Sequence, residues 1–102
     1  MAVETVKENS DEKLAYAVLS IKSLEECKRF LTVLLSRRER IAVTNRWRVI
    51  RLLLEKRLSQ NKTTKETGVA IATVSRAQRT LEVDREICQL IADRARKQRR
   101  RR

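Results

Sequence analysis

The chain has 102 residues, 41% of them apolar, and a net charge of +12. That is enough for one domain with a modest core and too apolar for disorder throughout. No proline and a single glycine exclude the turn-rich β-sandwich and βαβ classes, and the lack of any histidine excludes a zinc site or a histidine-based triad.

In chain order, residues 1–9 are expected to be disordered. A first helix is expected over about 10–22, with Leu14, Ala17, Val18 and Ile21 at helical spacing. Ser23 opens a second helix as N-cap, with Glu26 at the reciprocal position of a capping box. Its apolar face is Leu24, Cys27, Phe30, Leu31 and Leu34. Ser36 and Glu39 repeat the device for a third helix over about 37–57. Ile41, Val43, Trp47, Val49, Ile50 and Leu52–Leu54 make this helix apolar on more than one side, as suits the central helix of a bundle or a dimer.

The stretch SQNKTTKETGVAIATVSRAQRTL, residues 59–81, has a different character. Ser59 is a cap for a short helix at about 60–67. Gly68, the one glycine, suits a helix end that needs a left-handed backbone. A further helix starts near Ile71. Short helix, glycine turn and second helix make a helix-turn-helix over about 60–81. Thr64 is small where the helices cross, and Val69 and Val74 point inward. Thr63 and Thr67 fall where apolar residues are usual, so the short helix is expected to be marginal and mobile. The last helix, about 84–97, places Ile87, Leu90, Ile91 and Ala95 on one face, with Asp84 at its start favouring the dipole.

Charge is uneven along the chain. Residues 1–30 sum to −1, residues 36–58 to +6, and residues 94–102 (RARKQRRRR) to +7. Such asymmetry points to a polyanionic partner, usually nucleic acid. The second helix of the helix-turn-helix opens with Ala70, Ile71, Ala72, Thr73 and Ser75. Small side chains there let the backbone approach a groove. Ala and Ile can meet thymine methyls, and Thr and Ser can hydrogen-bond base edges directly or through water. The helix N-terminus also favours phosphate. A plain helical hairpin with small packing residues is the competing explanation. Residues 94–102 are expected as a basic C-terminal tail beyond a domain spanning 10–93.

No stretch approaches the roughly 18 apolar residues of a membrane span, and the start MAVETVKENSDEK is unlike a signal peptide. A cytoplasmic location follows, with Cys27 and Cys88 as free, partly buried thiols. Without histidine, an apolar carboxylate pair or a glycine-rich loop, no catalytic residues are expected and the chain is not read as an enzyme.

SRRERIAVTNRWRVIRLLLEKRLSQ and GVAIATVSRAQRTL together resemble the Trp repressor family over about residues 30–82. The resemblance implies an all-α intertwined homodimer of about six helices that binds operator DNA when L-tryptophan is bound as corepressor. It needs no other cofactor and no metal. Helix-turn-helix docking and water-mediated base contacts are themselves known of this family. By the same resemblance, Arg46 and Arg76 sandwich the indole and Arg76 reaches the carboxylate. Ser36 and Thr73 lie near the ligand, Thr80 meets the amino group, and backbone carbonyls around Val33 and Leu35 assist. Gln60, Asn61, Thr64, Lys65 and Arg79 join Ala70–Thr73 and Ser75 as DNA contacts. Ala77 stands where the family has a glycine against the indole, so its methyl is expected to narrow the slot. Two arginines on facing helices suit an aromatic carboxylate, yet they suit phosphate contacts equally.

The reading is a dimeric, sequence-specific DNA-binding transcriptional repressor with L-tryptophan as corepressor. The alternatives are a ligand-independent helix-turn-helix module of transposition or replication type, and a basic-helix protein that binds RNA or membranes through residues 94–102.

Overall fold

The structure is a computed structural model that describes residues 3–56 and 60–101; Ser59, expected as a cap, lies outside the described residues. Six helices follow one another: α1 (Val3–Leu19), α2 (Leu24–Leu34), α3 (Arg37–Lys56), α4 (Gln60–Thr67), α5 (Ile71–Val83) and α6 (Arg85–Arg100). There is no strand among the described residues. The fold is therefore all-α, as the composition implies. The chain forms two compact units, Met1–Arg40 and Ile41–Arg102. Among the described residues no helix is long and apolar enough to cross a membrane.

In the first unit, α1 begins at Val3, where disorder through residue 9 was expected. Apolar spacing reports burial rather than helicity. The polar segment ETVKENSDEK contains no glycine or proline to stop a helix, so it is helical without showing an apolar stripe. The helix closes at Ser20, whose hydroxyl donates to the Ala17 carbonyl at 2.7 Å. Ser23 then caps α2, accepting from the Glu26 N–H at 3.1 Å. The Glu26 carboxylate reaches back one residue further than a capping box prescribes, to the Lys22 N–H at 3.0 Å.

At α3 the box is complete. The Ser36 hydroxyl accepts from the Glu39 N–H at 3.2 Å, and the Glu39 carboxylate accepts from the Ser36 N–H at 2.8 Å. These bonds to Ser36 hold the Glu39 carboxyl below its ordinary pKa. Among its described residues the first unit buries no side chain fully. Leu14, Leu19, Leu24, Val33 and Leu34 are all exposed, and Cys27 and Phe30 are half-buried.

The second unit holds the core. Val49, Ile50, Leu53 and Leu54 of α3 pack with Val74, Ala77 and Leu81 of α5 and with Ala92 of α6. Trp47, Val69 and Cys88 are partly buried against this cluster. The spacing 49, 50, 53, 54 makes one stripe of α3. Ile41 and Val43, also expected to be covered, are exposed. Cys27 and Cys88 are both free.

Gly68 ends α4 with φ 72°, the left-handed conformation that costs glycine nothing, and its N–H donates to the Thr64 carbonyl at 2.9 Å. Thr67 braces the same turn: its hydroxyl donates to the Thr63 carbonyl at 2.8 Å and accepts from the Val69 N–H at 3.1 Å. Thr63 takes the apolar place of α4 and is 0% exposed.

Asp84 caps α6 through the Ile87 N–H at 3.1 Å. The segment expected as a tail from residue 94 continues α6 to Arg100. Arginine and lysine are good helix formers, and cations in a last turn meet the negative end of the helix dipole. Arg96 lies 3.6 Å from Glu55 of α3 and 3.6 Å from Asp93, in exposed ion pairs.

Candidate nucleic-acid interface and adjoining cavity

The helix-turn-helix is α4, the Gly68 turn and α5, all in the second unit. The inward side of α5 is Val74, Ala77 and Leu81, spaced by three and four, which leaves the helix start free to face solvent. Ala70, Ile71 and Ala72 are exposed, Ile71 at 44%, while Thr73 and Ser75 are half-buried. The cap position is Ala70, so no side chain covers the first N–H groups of α5. An uncapped helix start with short side chains and an exposed isoleucine has the form of a groove reader: backbone donors for phosphate and methyls for base edges.

The other expected DNA contacts divide. Asn61 and Lys65 of α4 and Arg79 of α5 are exposed. The side chain of Gln60 lies outside the described residues. Thr64, expected to face DNA, has its hydroxyl buried without a hydrogen-bond partner. Packing of α4 on α5 turns that position inward, so its small size serves the helix crossing and its hydroxyl does not reach the surface.

Beside the α5 start lies a cavity of about 480 Å³, lined by residues that include Arg46 and Arg48 of α3, Gly68 and Val69 of the turn, and Thr73 and Arg76 of α5. Of the expected ligand residues, the structure brings Arg46, Thr73 and Arg76 together here. Ala77 and Thr80 are not on the wall. Ala77 is 1% exposed in the core, so its methyl packs against the apolar cluster instead of narrowing the slot. The Thr80 hydroxyl donates to the Arg76 carbonyl within α5 at 3.0 Å.

Val33, Leu35 and Ser36 belong to the first unit. Val33 is 85% exposed. The Leu35 carbonyl accepts from Arg40 Nη1 at 3.0 Å, and Ser36 is engaged in its capping box.

Arg48 and Asn45 also line the cavity, and neither was expected. Arg46 and Arg48 are two apart on one helix, a spacing that does not set side chains on a common face, so periodicity could not pair them. The wall carries three arginines and no carboxylate. Such a wall favours an anionic group, which a guanidinium can both pair with and stack against.

The profile of the Trp repressor protein family matches residues 10–95. The uncharacterized protein YerC of Bacillus subtilis (strain 168) is 32% identical over 94 residues, covering 92% of this chain and 89% of YerC. No solved structure matches. A family match over most of the chain, joined to a helix-turn-helix with an exposed reading end, places this chain in the Trp repressor family, a family of DNA-binding transcription regulators.

Proposed function

We propose that the chain is a sequence-specific transcriptional repressor that binds operator DNA as a homodimer, with L-tryptophan as corepressor. It acts by binding rather than by catalysis. The observation that carries the reading is the juxtaposition in one unit of an uncapped, exposed α5 start with a cavity lined by Arg46, Thr73 and Arg76. The cavity volume falls within the range of small-molecule sites, about 300–1,000 Å³. A ligand seated there touches both the turn and α5, so it can fix the angle at which the reader enters the groove. A small molecule gates DNA affinity only through such a difference between the free and bound arrangements.

The dimer is supported by the exposed Leu14, Leu19, Leu24, Val33 and Leu34 of the first unit, which buries none of its described side chains fully. Helix-turn-helix dimers read two half-sites about one DNA turn apart. A dimeric mass by light scattering at micromolar concentration is expected, and a monomeric mass overturns the dimer.

The deciding experiment selects bound fragments from a random duplex pool with and without L-tryptophan, alongside calorimetry of the protein with L-tryptophan. A single enriched sequence that requires the amino acid supports the whole reading. Equal enrichment without it, and no heat of binding, supports a ligand-independent module instead. Arg48 favours that second reading: a third guanidinium on a wall without carboxylates also suits a DNA phosphate.

A further inference from the structure

The family match ends at residue 95, and the chain then continues RKQRRRR, with six basic residues and no acid. These residues lie beyond the matched segment, and through Arg100 they are helical. Arg94, Lys97, Arg99, Arg100 and Arg101 are exposed. Arg96 is exposed as well, but its guanidinium lies 3.6 Å from both Glu55 of α3 and Asp93 of α6, within the second unit. Arg96 thus has carboxylate neighbours, whereas no ion pair is seen for Arg94, Lys97, Arg99, Arg100 or Arg101 among the described residues.

We infer that the C-terminal end of α6 is a second DNA-binding element, one that grips the phosphate backbone of duplex DNA without reading its sequence. The inference takes DNA as partner from the proposed function and adds a separate surface to it.

Three physical points support the choice of partner. Arginine side chains pair with phosphate bidentately and carry no base discrimination when they contact only the backbone. Cations occupy five of the seven positions from Arg94 to Arg100, and Ala95 between them is half-buried, so the outward side of this end carries charge and no apolar residue. A membrane-surface helix instead needs an apolar face beneath its charges, and the exposed Ile87, Leu90 and Ile91 lie at the opposite end of α6.

Third, the helix end carries its own strain. Arg96 and Arg100, and Lys97 and Arg101, are like charges at i,i+4, which weaken a helix. A polyanion relieves that repulsion, so duplex binding should also firm the last turns of α6.

The test compares the full chain with the triple variant Arg99→Gln/Arg100→Gln/Arg101→Gln, since glutamine keeps helix propensity and removes charge. Each is titrated into a labelled mixed-sequence duplex of about 30 base pairs between roughly 50 and 200 mM salt. Each phosphate contact adds about 0.9 to the slope of log affinity against log salt, so the variant's slope should be shallower by up to about 2.7. Its affinity at low salt should fall roughly tenfold or more, equally for the mixed duplex and for any fragment the protein selects. Circular dichroism of the full chain should show added helix on duplex binding, and the variant should show less.

An unchanged slope and affinity on the mixed duplex overturns the inference. So does a larger loss for single-stranded RNA or anionic vesicles than for duplex at the same salt. The mixed-duplex slope is independent of sequence selection. Failure to find an operator therefore tells against the proposed function alone, and an unchanged slope tells against this helix end alone.

Discussion

Arg46 of α3 and Arg76 of α5 line the same cavity, with the Gly68 turn forming part of its wall. Two guanidinium groups from separate helices on one cavity wall suit a planar or anionic ligand, as the proposed function requires, and neither element supplies both. Replacing either by alanine should therefore weaken L-tryptophan. A hydrogen bond to a charged group is worth about 1.5–3 kcal/mol, so calorimetry should show affinity falling roughly tenfold to a hundredfold. Tryptophan affinity that survives both single substitutions would remove the pair from the ligand site.

Ala77→Gly should act on stability before it acts on ligand affinity. Its methyl is buried with Val49, Val74 and Leu81, and the position is inside α5. Glycine within a helix costs about 1 kcal/mol relative to alanine, and a lost buried methyl adds about 0.8 kcal/mol. Denaturant unfolding should show a loss of about 2 kcal/mol. A variant as stable as the native chain, with tighter tryptophan binding, would restore the idea that this methyl meets the ligand.

Thr64→Val is expected to stabilise the chain. The Thr64 hydroxyl is buried with no hydrogen-bond partner, and valine has the same shape without a polar atom. Relieving an unsatisfied buried group is worth about 1–3 kcal/mol. DNA affinity should not change, because this hydroxyl does not reach the surface of α4. A weaker DNA complex with unaltered stability would show that the side chain turns outward on binding.

The Glu39 carboxyl should titrate below an ordinary glutamate, because its ionised form accepts the Ser36 N–H at 2.8 Å and is further favoured by the Ser36 hydroxyl. A depressed folded pKa stabilises the native state above the unfolded value, and that contribution is lost as pH falls through the folded value. The capping box at α3 therefore weakens in acid and is fully formed at neutral pH. Carbon-detected NMR titration should move Glu39 only part of the way back in Ser36→Ala, since alanine keeps the N–H that Glu39 accepts, with a stability loss near 1 kcal/mol from the missing hydroxyl cap. An unshifted Glu39 in the native chain would remove the box as the cause.

The Gly68 turn and the caps of α2, α3 and α6 were legible because they are local. Ser23, Ser36 and Asp84 bond N–H groups three residues on, and Gly68 needs only its own φ. Periodicities of three and four likewise marked Val49, Leu53 and Val74 for the core, which Leu81 joins in the structure. The sequence by itself thus determined an all-helical chain, the place of the turn and the exposed start of α5.

Tertiary structure decided what depends on the angle at which one helix meets another. It sent the Ala77 methyl and the Thr64 hydroxyl inward, and it set Arg48 beside Arg46 and Arg76 on one cavity wall. It also placed Arg96 beside Glu55 of α3, and residues expected as a separate tail continue α6 to Arg100. These placements follow from packing between residues far apart in sequence. Side-chain spacing within one helix carries no record of that packing.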